Sequence, residues 1–311
     1  MFTHNSNQQE SPQPAPEGAL ILRNITISLA MLAVSTAFPF LGIIIGLFLP
    51  FPIIHSIYYY GFRAGLVVGS MSLGFMVLFH PILPVIYAIE TFIPACLLML
   101  LLRRQANPLS GTVIASLITG TALYLLYIPF ITIRGEDPLV SLLIATKEAI
   151  EQGATGTALA QNADLIMQVA YNIAFGFFIT SVFFSLVCSL GLIMRKDRFG
   201  KEIGMVNTFY SAQIPYTYLF LIIAGITGMA AQNPYVFMAA ASLLFFLTVI
   251  YALQGFLTIS TFFRQRKTPV IFQVLLYGLI VIQPILALVM TVLGILDTLM
   301  GLRRRILGLH A

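Results

Sequence analysis

Long apolar runs, broken by short clusters of polar, basic or proline-containing sequence, set the pattern of this chain. The runs lie near 19–38, 40–60, 62–79, 82–102, 109–132, 165–194, 210–231 and 235–263. Most approach the ~20 apolar residues that a helix needs to cross the core of a bilayer. A last stretch, 268–302, carries Gln283-Pro284 near its middle. It reads either as a tight pair of short spans or as one long kinked helix. The pattern predicts an all-α protein: a polytopic transmembrane helical bundle of 8–10 spans.

Composition agrees. The 311 residues are 59% hydrophobic and 9% charged, where soluble domains carry roughly 25% charge. A soluble globular domain, a nucleic-acid binder and a disordered chain are excluded. The expected environment is the lipid bilayer.

The basic residues orient the bundle. Arg103 and Arg104 follow the fourth run, and Arg195, Lys196, Arg198 and Lys201 the sixth. Arg264, Arg266 and Lys267 follow the eighth, and Arg303, Arg304 and Arg305 close the last stretch. With Arg23 and Arg63, an N-in, C-in bundle keeps 14 of the 16 basic residues on the cytoplasmic side, leaving Arg134 and Lys147 outside. This is the positive-inside distribution. Two crossings in 268–302 satisfy it better than one, because basic clusters flank that stretch on both sides.

The domain reading follows. Residues 1–18 form a polar, disordered cytoplasmic tail that lacks the basic n-region of a secretory signal. Residues 19–305 form a single transmembrane domain, and 306–311 a cytoplasmic tail. Segment 135–164 lies outside as an amphipathic segment. Asp137-Pro138 is a helix start, Gly153 a stop, and Leu139, Leu142, Leu143 and Ile150 share one face.

Catalytic chemistry is sparse. The chain has no HExxH, GxSxG or Walker A motif, and its four histidines and two cysteines form no ligand spacing. The expectation is a protein that is not an enzyme and holds no cofactor and no metal. Glu90 stands out, about 13 Å into the fourth span at 1.5 Å per residue. An ionisable group at that depth costs several kcal/mol unless paired or facing water. It marks a binding site or a polar tie between helices. Pro50 and Pro52 interrupt the second span, and broken spans often line cavities; His55 follows within a turn.

Small residues recur at helical spacing. Gly61, Gly65 and Gly69 form one stripe, Gly42 and Gly46 a pair, and Ala33 and Ala37 another. Such stripes pack helices closely or dock a partner subunit. Arg63 and Asp297 stand at similar depths near the inner boundary, which suggests a structural ion pair. Gln254 and Gln283 are further polar residues within apolar runs.

The stretch LPFPIIHSIYYYGFRAGLVVG, the Gln254-Gly255 pair and the ending LGILDTLMGLRRR resemble the YybS-like family of uncharacterised bacterial membrane proteins. That family is distantly similar to the substrate-binding components of energy-coupling-factor transporters. The resemblance implies a bacterial cytoplasmic (inner) membrane location, a small-molecule solute in a membrane pocket, and a coupling subunit as partner. The chain is longer than those components and carries extra spans. Two functional readings stand open. One is a solute-binding transport component whose cavity is lined by Glu90, His55, Pro50 and Pro52. The other is an assembly factor that holds partner membrane proteins through its glycine stripes.

Overall fold

The computed structural model describes residues 17–79, 83–104, 107–135, 137–153, 161–196 and 214–306. The tails with His4 and His310, together with His80, Arg198 and Lys201, lie outside the described residues. Every regular element among the described residues is a helix: α1 (Glu17–Ala37), α2 (Pro39–Gly46), α3 (Phe51–Tyr60), α4 (Phe62–Val77), α5 (Leu83–Arg103), α6 (Pro108–Arg134), α7 (Pro138–Gly153), α8 (Ala163–Lys196), α9 (Tyr218–Met229), α10 (Pro234–Gln265), α11 (Val270–Ile282), α12 (Pro284–Met300) and α13 (Leu302–Ile306).

The chain is a polytopic helical bundle. By length and apolarity, α1, α5, α6, α8 and α10 each reach across a bilayer, and a sixth span is available if α11 and α12 count as one bent pair. Shorter apolar helices of 10–17 residues follow other runs, so the described residues hold five or six helices long enough to cross, against the eight to ten spans expected. Proline and glycine explain the shortening. The expected second span, 40–60, is split into α2 and α3, because neither Pro50 nor Pro52 has an N–H to continue the ladder. Gly61, at φ +88°, then turns the chain directly from α3 into α4, a conformation that costs other residues dearly. At Gln283-Pro284, α11 and α12 bend by 107°. The bend is past perpendicular, sharper than the kink of a single helix and more open than an antiparallel hairpin.

α8 ties the bundle together. Val182, Leu186, Leu190 and Ile193 join a core with residues of α1, α3, α4 and α5, including Leu32, Ile53, Val68 and Leu98. Ile179 and Phe183, on the same broad apolar stripe, join a second core with residues of α6, α9 and α10. The longest helix therefore serves both cores.

Gly65, Gly69 and Gly42 pack inside the chain, whereas Gly46 and Gly61 have open space where a Cβ would stand. A Cβ at Gly65 would lie 2.1 Å from Ile57 Cγ1, and one at Gly69 2.1 Å from the Phe92 ring. Gly42 sits under the Ser35 carbonyl, where a Cβ would come within 2.8 Å. Ala33 is half-buried and Ala37 exposed.

Candidate functional site

Glu90 faces a cavity of about 750 Å³ between α1, α2, α5 and α8. Its lining includes Ser35, Gly46, Leu47, Leu49, Thr180, Ser181, Phe177, Phe184 and Ser185. Such a volume lies within the few hundred to ~1,000 Å³ usual for small-molecule sites.

Local sequence explains the geometry. Residues Ala88–Phe92 leave the α-helical register and form a π turn, closed by the Ile93 N–H on the Ala88 carbonyl. Pro94 lies four residues after Glu90 and has no N–H for the Glu90 carbonyl, so an α-helical register is lost there. π turns of this kind concentrate at functional sites. Glu90 is the eighth residue of α5, about 10 Å from its start at 1.5 Å per residue. Its carboxylate accepts from the Ser181 hydroxyl at 3.4 Å. Among the described residues no cation lies within ion-pair distance of it.

The opposite wall is the break between α2 and α3. Pro50 has no N–H to offer the Gly46 carbonyl, which accepts instead from Leu49 N at 3.3 Å and from Ser185 Oγ at 3.1 Å. The break thereby brings Gly46, Leu47 and Leu49 to the cavity wall, while Pro50 and Pro52 are themselves buried behind it.

His55 belongs elsewhere. Asn24 Nδ2 lies 3.0 Å from His55 Nδ1 and donates to Ser56 Oγ at 2.8 Å. His55 also stacks on Tyr59 at 4.5 Å between centroids. All three of Asn24, His55 and Ser56 are buried. The expected grouping of His55 with Glu90 is corrected: α3 continues past the break with His55 on the side that packs against α1, outside the cavity lining.

The expected Arg63–Asp297 pair is corrected as well. Arg63 is exposed. Asp297 is fully buried and pairs with Arg303, whose Nε lies 2.7 Å from Oδ2 and whose backbone N lies 2.8 Å from Oδ1. Gln254 Nε2 donates to the same Oδ2 at 3.0 Å and to Thr298 Oγ1 at 2.9 Å. The turn at Gly301, φ +62°, folds Arg303 back onto the helix it follows. A local partner six residues away needs no long-range matching of depth.

At the other end, α7 starts at Asp137, whose Oδ1 accepts from Leu139 N at 2.9 Å and Val140 N at 3.3 Å. The Tyr127 hydroxyl of α6 donates to Oδ1, and the Tyr171 hydroxyl of α8 to Oδ2 at 2.9 Å. Burial raises the Asp137 pKa, but these two hydroxyls and two amides outweigh it and hold the carboxyl below its ordinary range. Below this latch, Leu139 caps an apolar cavity of about 470 Å³ lined by Val85, Ile89, Leu123 and Phe175 among others.

A family model described as "predicted membrane protein (DUF2232)" matches residues 25–298. The chain belongs to this family. The match takes in the Glu90 cavity, the α2–α3 break and the Gln254–Asp297 contact, so these features lie within the DUF2232 unit. No curated protein and no solved structure matches the chain significantly. Membership makes the chain a multi-pass membrane protein and leaves the solute question to its own residues.

The hydroxyl side of the cavity escaped the sequence reading. Phe177, Ser181, Phe184 and Ser185 follow the i, i+4, i+7, i+8 spacing of one helix face. That face was hidden because serine and threonine are common in membrane helices as intrahelical donors.

Proposed function

We propose that this chain is a non-enzymatic, solute-binding component of a transport system in the bacterial cytoplasmic membrane, with its N- and C-termini inside. The observation that carries this is the Glu90 carboxylate, set in a π turn and turned toward a 750 Å³ cavity without a cationic partner among the described residues. A membrane-embedded carboxylate is costly, and facing a cavity is the usual reason it persists. A broken helix opposite it repeats the way transporters expose backbone at a solute site. The YybS-like resemblance, and through it the distant likeness to energy-coupling-factor binding components, supports the same direction as an analogy of fold.

A coupling subunit is part of the proposal. Gly65 and Gly69 are filled by Ile57 and Phe92, so they offer a partner little room. This weighs against an assembly factor built on the glycine stripe. Ala33 and Ala37, with Ala37 exposed, are the docking face proposed here.

The test is chemical. Protein purified in mild detergent is denatured, and the released small molecules are identified by mass spectrometry. A discrete non-lipid compound, near-stoichiometric in the wild type and depleted in Glu90→Gln, is expected. Well-folded wild type that releases only lipid contradicts the proposal.

A further inference from the structure

We infer that the solute is an organic cation: a protonated amine carried on an apolar body, with its nitrogen at Glu90. This rests on the solute-binding proposal and names the class of solute.

The cavity wall is rich in acceptors and poor in donors. Four of its five hydroxyls already spend their proton on the protein. Ser35 donates to the Met31 carbonyl at 2.8 Å, Thr180 to the Gly176 carbonyl at 2.7 Å, Ser185 to the Gly46 carbonyl at 3.1 Å and Ser181 to Glu90 at 3.4 Å. Each hydroxyl keeps lone pairs for a ligand. The broken helix adds no free N–H. Phe48, Leu49 and Phe51 donate to Ile45, Gly46 and Phe48, Leu47 donates to Ile45, and Pro50 and Pro52 have none. Among the described residues the lining holds no Lys, Arg, His, Asn or Gln.

A ligand that fits this wall must bring the hydrogens. An ammonium group does so and also cancels the carboxylate, whereas an anion meets a like charge and, among the described lining residues, one uncommitted hydroxyl, that of Thr91. The rest of the lining suits an apolar body. Phe177 and Phe184 stand two turns apart on α8, facing Leu47 and Leu49 of the break. Aromatic faces near a cation add attraction. A metal ion is a poor occupant. The described residues hold no group of three or more His, Cys, Asp or Glu side chains, and hard cations need several oxygen ligands at close range.

The test uses three probes of one shape: 4-phenylbutylamine, 4-phenylbutanol and 4-phenylbutyrate, at pH 7, on the full chain in nanodiscs of neutral lipid. Saturable binding is read by thermal shift. Glu90→Gln and Ser181→Leu, which fills the cavity beside an intact carboxylate, are compared as monodisperse protein. The amine is expected to bind wild type at least tenfold tighter than the other two, and to lose tenfold or more in each variant. Equal binding of the alcohol or the carboxylate, or an amine indifferent to Glu90→Gln, overturns the cation assignment and leaves the solute-binding proposal standing. No saturable binding of any probe by monodisperse wild type also overturns the cation assignment, and the solute-binding proposal then stands or falls on the released-compound analysis alone.

Discussion

Gly255 of α10 and Gly294 of α12 meet backbone to backbone. A Cβ on Gly294 would fall 1.9 Å from the Tyr251 carbonyl oxygen, and one on Gly255 2.0 Å from that of Met290. Neither neighbour is a side chain that can swing aside. The two helices must part to admit even a methyl group. Overpacking a tight interior costs roughly 1–3 kcal/mol, and a backbone obstacle belongs at the upper end. Gly294→Ala and Gly255→Ala are each expected to lower the thermal melting temperature in detergent. Either variant melting with the wild type contradicts the close crossing.

That crossing also aligns Gln254 with Asp297. Removing one partner of a buried ion pair costs about 3–5 kcal/mol, whereas replacing both by apolar groups is often near neutral. Asp297→Asn is therefore expected to destabilise strongly, and Asp297→Leu with Arg303→Met to recover most of the loss. Arg63→Ala, at an exposed position, should stay within about 0.5 kcal/mol of wild type. Reversible unfolding of the purified variants measures all three. A large loss on Arg63→Ala, rescued by a charge swap with Asp297, points back to the pairing expected from depth alone.

Asp137 makes α7 sensitive to acid in a defined direction. Its folded pKa is depressed, so its contribution is fully present above the ordinary aspartate range and is lost as pH falls through the folded value. A spin label on exposed Ala145 is expected to keep the same mobility from pH 7 to pH 5. Mobility should rise only in stronger acid. Asp137→Ala loses the helix cap, worth about 0.5–2 kcal/mol, together with both tyrosine bonds, and should loosen the label at neutral pH. Asp137→Asn keeps a capping oxygen and should loosen it less. A label already mobile in wild type at pH 7 removes the latch.

The Asn24–His55–Ser56 contact is a tie between α1 and α3, apart from the cavity. Truncating a buried hydrogen-bonding group costs about 1–3 kcal/mol. Asn24→Ala and His55→Ala are expected to reduce stability by that order and to leave Glu90-dependent binding unchanged. A selective loss of binding in His55→Ala, with stability intact, assigns His55 to the solute site.

Much of this architecture is legible in the sequence because a bilayer imposes blunt rules. An apolar run of twenty residues has few options other than a helix, and α1, α5, α6, α8 and α10 lie where their runs predict. Local signals read equally well: Asp137-Pro138 starts α7, and Pro50 breaks the second run. Glu90 is visible through the cost of charge in lipid. Partner choice is another matter. Depth along a helix says nothing of azimuth, so His55, one turn past the break, points to α1 instead of the cavity. Asp297 finds Arg303 because Gly301 reverses the chain, a turn that hydropathy cannot register. Ser181 and Ser185 reach the site through the packing of α8 against α2 and α5, which no single segment encodes.

Native mass spectrometry of the wild-type chain, released gently from its own membrane, tests the solute cavity most directly when run beside Glu90→Gln and Ser181→Leu. The expected spectrum has one bound non-lipid small molecule on the wild type, at a defined mass, and none on either variant. The same molecule retained by both variants, or a wild type carrying lipid alone, contradicts a solute site at Glu90.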